Sequence, residues 1–137
     1  MSRGSTLLRI DGWFLILSGC FGLAADLASY FGGIGPFGPV FHGDPIVIGV
    51  VEAHGLAVLT GIAVCLKRAA NGGRYWHWHL AATHALLGGA NIAFFAVFEQ
   101  VGARAGGIAV TMIHFLLVVA QIAFATGRPA GGAARGF

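Results

Sequence analysis

Four stretches of this chain are long and apolar enough to match the hydrocarbon core of a bilayer. A helix needs about 20 mostly apolar residues to cross it. The stretches run from Leu7 to Phe31, Ile46 to Leu66, Trp76 to Phe98 and Gly106 to Thr126, and the last two hold no Asp, Glu, Lys or Arg. Of the 137 residues, 57% are hydrophobic and only 9% charged, against roughly 25% charged in a soluble domain. So little charge cannot hydrate the surface of a globule. The expected fold is all-α: an integral membrane four-helix bundle forming one domain over residues 1–126, with a Gly/Ala-rich cytoplasmic tail at 127–137. The 23 glycines suit such a bundle, since glycine lets membrane helices approach closely.

Positive charge sets the orientation, because cytoplasmic loops collect Lys and Arg. Arg3, Arg9, Lys67, Arg68, Arg74, Arg128 and Arg135 fall on one side and Arg104 alone on the other. Both termini are therefore expected in the cytoplasm of a bacterial-type inner membrane. Tyr75, Trp76 and Trp78 sit where an interfacial aromatic belt belongs. There is no basic run interleaved with aromatics, which excludes nucleic acid as a partner.

Three of the four prolines (Pro36, Pro39 and Pro45) fall between Gly32 and Pro45, which cannot be regular helix. That segment reads either as a plain extracytoplasmic connector or as a lid carrying His42 and Asp44. Leu17-Ser18-Gly19-Cys20 resembles a lipoprotein cleavage box, but Asp11 interrupts the apolar region and the run continues to Phe31, so the segment reads as a span. Cys20 and Cys65 read as packing residues at different depths.

Polar groups inside a span are costly, and each marks a site to inspect. With a rise of about 1.5 Å per residue, Asp26, Glu52, His54, Asn91 and His114 all come out roughly 8–12 Å below the outer edge, at least one from every span. His84 and Gln121 form a second layer further in. Asp11, His77 and His79 come out near the cytoplasmic edge, where His77 and His79 read as ordinary interfacial residues. Helical spacing puts His77, His84, Gly88 and Asn91 on one stripe. It does the same for Gly107, Thr111, His114, Val118 and Gln121, and for Ser18, Gly22 and Asp26. Glu52 and His54 are two apart, so they cannot both face the bundle centre; one faces a neighbour or a second subunit. His54-x-Leu56, His84-x-Leu86 and His114-x-Leu116 recur every 30 residues, each followed by Ile-Ala.

Three functional readings are open. One is a buried site, lined by Asp26, Glu52, His54, Asn91, His114, His84 and Gln121, for a proton or a small apolar or quinone-like ligand; as an enzyme it would be a membrane oxidoreductase or isomerase. Another is haem b with His54 and His114 as axial ligands and small residues such as Gly22, Gly55, Gly88 and Gly89 making room. That placement looks like the one in larger cytochrome b bundles. A non-haem metal is a variant, although the i, i+3 or i, i+4 ligand pairing of a helical metal motif is absent and no metal site is assigned. The last is a structural role, as a homo-oligomer or an accessory subunit of a larger membrane complex. Retinal is excluded, because Lys67 is the only lysine and lies at a helix end. No phosphate-binding glycine loop, HExxH or nucleophile elbow is present.

Glu52, Gly55, Leu56, Leu59 and Gly61 read as E-x-x-G-L-x-x-L-x-G. With Arg9 in the first span and the chain length, this resembles the DoxX-like group of small four-span bacterial membrane proteins. The resemblance implies the four-span architecture and, for some members, quinone-linked oxidation. It carries over Glu52 alone, and leaves the histidines without a role.

Overall fold

The computed structural model describes residues 3–67 and 73–127. Arg68, Arg128, Arg135 and the tail from 128 onward lie outside the described residues. Within them the regular structure is all helix: α1 (Arg3–Gly32), α2 (Gly38–Phe41), α3 (Val47–Lys67), α4 (Gly73–Ala93), α5 (Phe95–Gln100) and α6 (Arg104–Thr126). Three of these, α1, α3 and α6, are long and apolar enough to cross a membrane. Four were expected. α4 matches α3 at 21 residues, about 31 Å of helix. His77, His79, His84 and Asn91 make it too polar to qualify on composition.

The third expected span, Trp76–Phe98, is also broken. The helix stops at Ala93, turns at Phe94, and resumes as α5. α5 ends in a Schellman motif: the Ala103 N–H donates to Phe98 O (2.8 Å), the Gly102 N–H to Glu99 O (3.1 Å), and Gly102 takes a φ of 69°. Nothing in the apolar run Ile92–Phe98 announces this break, because hydropathy is equally high on both sides of it.

α1 is the central element. It packs along α3 and also meets α4 and α6, which pair with each other. Its contact with α3 is nearly backbone to backbone. A Cβ on Gly61 would stand 2.5 Å from Gly12 O, and one on Gly19 would stand 2.9 Å from His54 O. Small residues at such a seam replace the hydrophobic drive that lipid does not provide. Leu8, Leu15, Ala57, Val64 and Leu80 form the apolar core.

The arrangement is inverted relative to a soluble protein. Asp11, Asp26, Ser29, His77, His84, His114 and Gln121 are buried, while Phe21, Leu17, Leu56, Leu59, Leu86, Leu116 and Val119 are more than half exposed. Water would penalise that surface and lipid would not. Hydroxyls on the helices bond to their own backbone: Ser18 to Phe14 O (2.6 Å), Thr83 to His79 O (3.0 Å) and Thr126 to Ile122 O (2.8 Å). A polar group facing lipid is satisfied in this way.

The Pro-rich segment is a folded cap. The Gly43 N–H donates to Tyr30 O (3.1 Å) and Ser29 Oγ donates to Ile34 O (3.0 Å). Phe37 stacks on Phe41 and meets Phe98 edge-on. Asp44 Oδ1 accepts from the Ile46 N–H at 2.9 Å, just ahead of α3. Of the two residues assigned to a lid, Asp44 therefore starts a helix, and His42 is exposed.

Candidate functional site

Five buried side chains from three helices form one hydrogen-bonded chain. Asp11, in the third turn of α1, is the hub. Its Oδ1 accepts from His84 Nε2 of α4 at 2.7 Å, and its Oδ2 accepts from the Gln121 side-chain amide of α6. Gln121 Oε1 in turn accepts from His77 Nδ1, one seven-residue step down α4 from His84. At the other end, His84 Nδ1 faces His114 Nδ1 at 2.9 Å. The order is His77–Gln121–Asp11–His84–His114.

Helical spacing builds this chain. His77 and His84 lie seven apart on α4, and His114 and Gln121 seven apart on α6, so each pair shares a face. α4 and α6 run antiparallel, which sets His77 opposite Gln121 and His84 opposite His114. Gly88, one turn beyond His84, is where α6 comes close: a Cβ there would meet His114 Cβ at 3.2 Å and Phe115 at 3.1 Å. The Phe14 ring seals the α1 side, 6.1 Å from His84 and 6.2 Å from His114. The His77 ring stacks on Phe124, and its Nε2 lies beside Gly4 in the first turn of α1.

The chemistry of the chain follows from its donors and acceptors. Asp11 accepts at both oxygens, which is what a carboxylate does. Gln121 uses its amide in both senses and transmits polarity between His77 and Asp11. The His84–His114 contact joins two like nitrogens, so one proton must lie between them. His84, Asp11 and Gln121 are all 0% exposed, so each of these bonds sits where a missing partner costs the most.

A second, separate pair lies higher on α1. His54 Nδ1 donates to Asp26 Oδ2 at 2.6 Å, with His54 35% and Asp26 3% exposed. Asp26 is 15 residues above Asp11, about 22 Å along the helix. The His54 ring occupies the space that a side chain on Gly22 would need.

The seven expected site residues thus divide. Asp26 and His54 come together on the α1–α3 seam. His84, His114 and Gln121 come together on α1, α4 and α6. Glu52 is exposed on the outer face of α3, and Asn91 is half-buried; neither joins a hydrogen bond among the described residues. His54 and His114, the pair expected to face each other across a haem, hold different partners on different helix pairs. The room at Gly22 is filled by the His54 ring and that at Gly88 by His114 and Phe115, while Gly55 and Gly89 face open space. Among the described residues no group of three or more His, Cys, Asp or Glu is arranged to hold a metal ion.

Two members of the chain were placed elsewhere by sequence reasoning. His77, read as interfacial, is 4% exposed, and Asp11, read as near the edge, is its hub. Both stay within the first three turns of their helices, and what buries them is the packing of α1, α4 and α6 around them. The matched spacing of His77–His84 and His114–Gln121 is the signal that pairs them.

Comparison with protein-family models, with curated proteins and with solved structures gives no match.

Proposed function

We propose that this protein is a small four-span membrane protein of the bacterial inner membrane, both termini cytoplasmic, whose inner polar chain binds and releases a proton. The observation that carries the reading is the unbroken hydrogen-bond sequence from His77 to His114. With Asp11 ionised and the imidazoles neutral, the chain holds one net negative charge, and no Lys or Arg pairs with it among the described residues. A bare buried charge in hydrocarbon is expensive. One added proton on His114 Nε2, which carries no hydrogen bond among the described residues, cancels it and leaves every bond of the chain in place. The chain therefore has two protonation states that differ by one proton and keep the same partners.

The His77 end lies by the first turn of α1, on the side that collects Arg3, Arg9 and Arg74, and the His114 end lies near mid-span. A bulky ligand is less well supported, because among the described residues the chain leaves just two nitrogens without a hydrogen bond, His77 Nε2 beside Gly4 and His114 Nε2. The resemblance to DoxX-like proteins, and the quinone chemistry it implies, rests on a motif whose one carried-over residue, Glu52, lies outside this chain.

The test is pH-difference infrared spectroscopy of the full-length protein in liposomes, across the range where imidazole titrates. We expect one carboxylate band that changes together with imidazole bands, and the loss of that coupled carboxylate change in His84→Phe. A His84→Phe difference spectrum identical to that of the wild type would sink the proposal.

A further inference from the structure

α3 has two opposed faces. The face that bears Ala57, Val58, Gly61 and Val64 lies against α1. On the opposite side run Ile48, Glu52, Gly55, Leu59, Ile62 and Leu66, spaced 4, 3, 4, 3 and 4. That is the a/d heptad spacing with which parallel helices interlock knobs into holes. The four large residues of this stripe are 59%, 63%, 39% and 74% exposed in chain order. A Cβ on Gly55 would meet nothing within 4 Å, so a second backbone has room to approach there. Near the N-terminal end of this apolar stripe stands Glu52, exposed and without a hydrogen-bond partner among the described residues. It lies five residues, about 8 Å, inside the helix.

A lone carboxyl facing lipid at that depth is costly. A copy of itself can satisfy it. A carboxyl that keeps its proton donates through O–H and accepts through the other oxygen, so two of them complete each other's hydrogen bonds. Two copies inserted with the same orientation are related by a two-fold axis along the membrane normal. Residues on that axis meet their own counterparts at one depth, which is the geometry two Glu52 side chains require. A single polar residue at an a position also fixes register and number of strands.

We propose that this face of α3 is a parallel homodimer interface, with Glu52 hydrogen-bonded to Glu52 of a second copy. The proposal rests on the membrane reading above but not on the proton reading.

The experiment is disulfide cross-linking of the full-length chain in native membranes, with Cys20→Ser and Cys65→Ala as background. Single cysteines are placed on the stripe (Gly55→Cys, Leu59→Cys, Ile62→Cys) and on the outer face of α6 (Met112→Cys, Leu116→Cys). Dimers of twice the chain mass at the stripe positions, and not on α6, are expected. Equal cross-linking on both helices, none on either, or adducts of another mass overturn the dimer. Extraction of the protein by alkaline carbonate overturns the membrane reading with it. Glu52→Val should raise the dimer dissociation constant about 5- to 20-fold, within the range for one hydrogen bond between membrane helices. Glu52→Gln, whose amide both donates and accepts, should stay close to wild type. Since the side chain points outward, thermal unfolding of both variants should match the parent. If Glu52→Val dimerises as tightly as wild type, the assignment of Glu52 is wrong.

Discussion

α1 carries two aspartates, and each takes an imidazole from a neighbouring helix, yet the pairs are different in kind. Asp11 and His84 are both 0% exposed and are tied on either side to Gln121 and His114. Asp26 and His54 form an isolated pair, with His54 35% exposed. A pair with an open side can relax when one member is lost. A sealed and networked pair cannot, because each removal strands a second buried group. The inner pair is therefore the one around which the helices are held in register. The outer pair closes a single seam.

Several substitutions break or sharpen this contrast. Asp11→Ala should cost most, about 3–5 kcal/mol, since it leaves His84 and Gln121 buried without their acceptor; reversible unfolding in mixed detergent micelles would read it. A loss below that of Asp26→Ala would reverse the ranking of the two pairs. Gly61→Ala comes next. The new methyl would press on Gly12 O and open the α1–α3 seam, at about 1–3 kcal/mol, and cross-linking between α1 and α3 would weaken while α4–α6 packing stays intact. Asp26→Ala should cost about 0.5–1.5 kcal/mol, the scale of one side-chain hydrogen bond in a membrane bundle. The nitrogen NMR signals should then change for His54 alone, and movement of the His84 or His114 signals would show that the pairs are coupled. His77→Phe should cost least, about 1 kcal/mol or less, because stacking on Phe124 survives and only the end of the chain is cut. Unfolding in the same micelles checks it, and a loss as large as that of Asp11→Ala would show that the end of the chain matters as much as its hub.

The sequence carried the outline of the fold well where apolar runs had sharp ends. α3 was expected at Ile46–Leu66 and runs Val47–Lys67; α6 was expected from Gly106 and begins at Arg104. The turn at Phe94 was illegible, since a break within a uniformly apolar run leaves hydropathy unchanged. Which residues face inward was largely legible too, because a period of seven marks a helix face without any knowledge of neighbours. The partners were not. Depth along a span says nothing about burial within the bundle, so Asp11 and His77, near the cytoplasmic edge by count, are nonetheless closed in by α1, α4 and α6. One outer pocket was expected; the polar groups instead divide between two seams, because Asp11 and Asp26 point along different directions of one helix.

The inner chain also dictates an order of assembly. Asp11 emerges with the first helix, His84 with the fourth, and His114 and Gln121 only with the sixth. On the four-span reading, α4 is too polar to rest stably in lipid by itself, and its histidines remain half-satisfied until the last helix is made. A nascent chain that stops short of α6 would therefore hold Asp11 with one of its two donors, His84 with one of its two partners and His77 with none, and only the last helix closes the sequence.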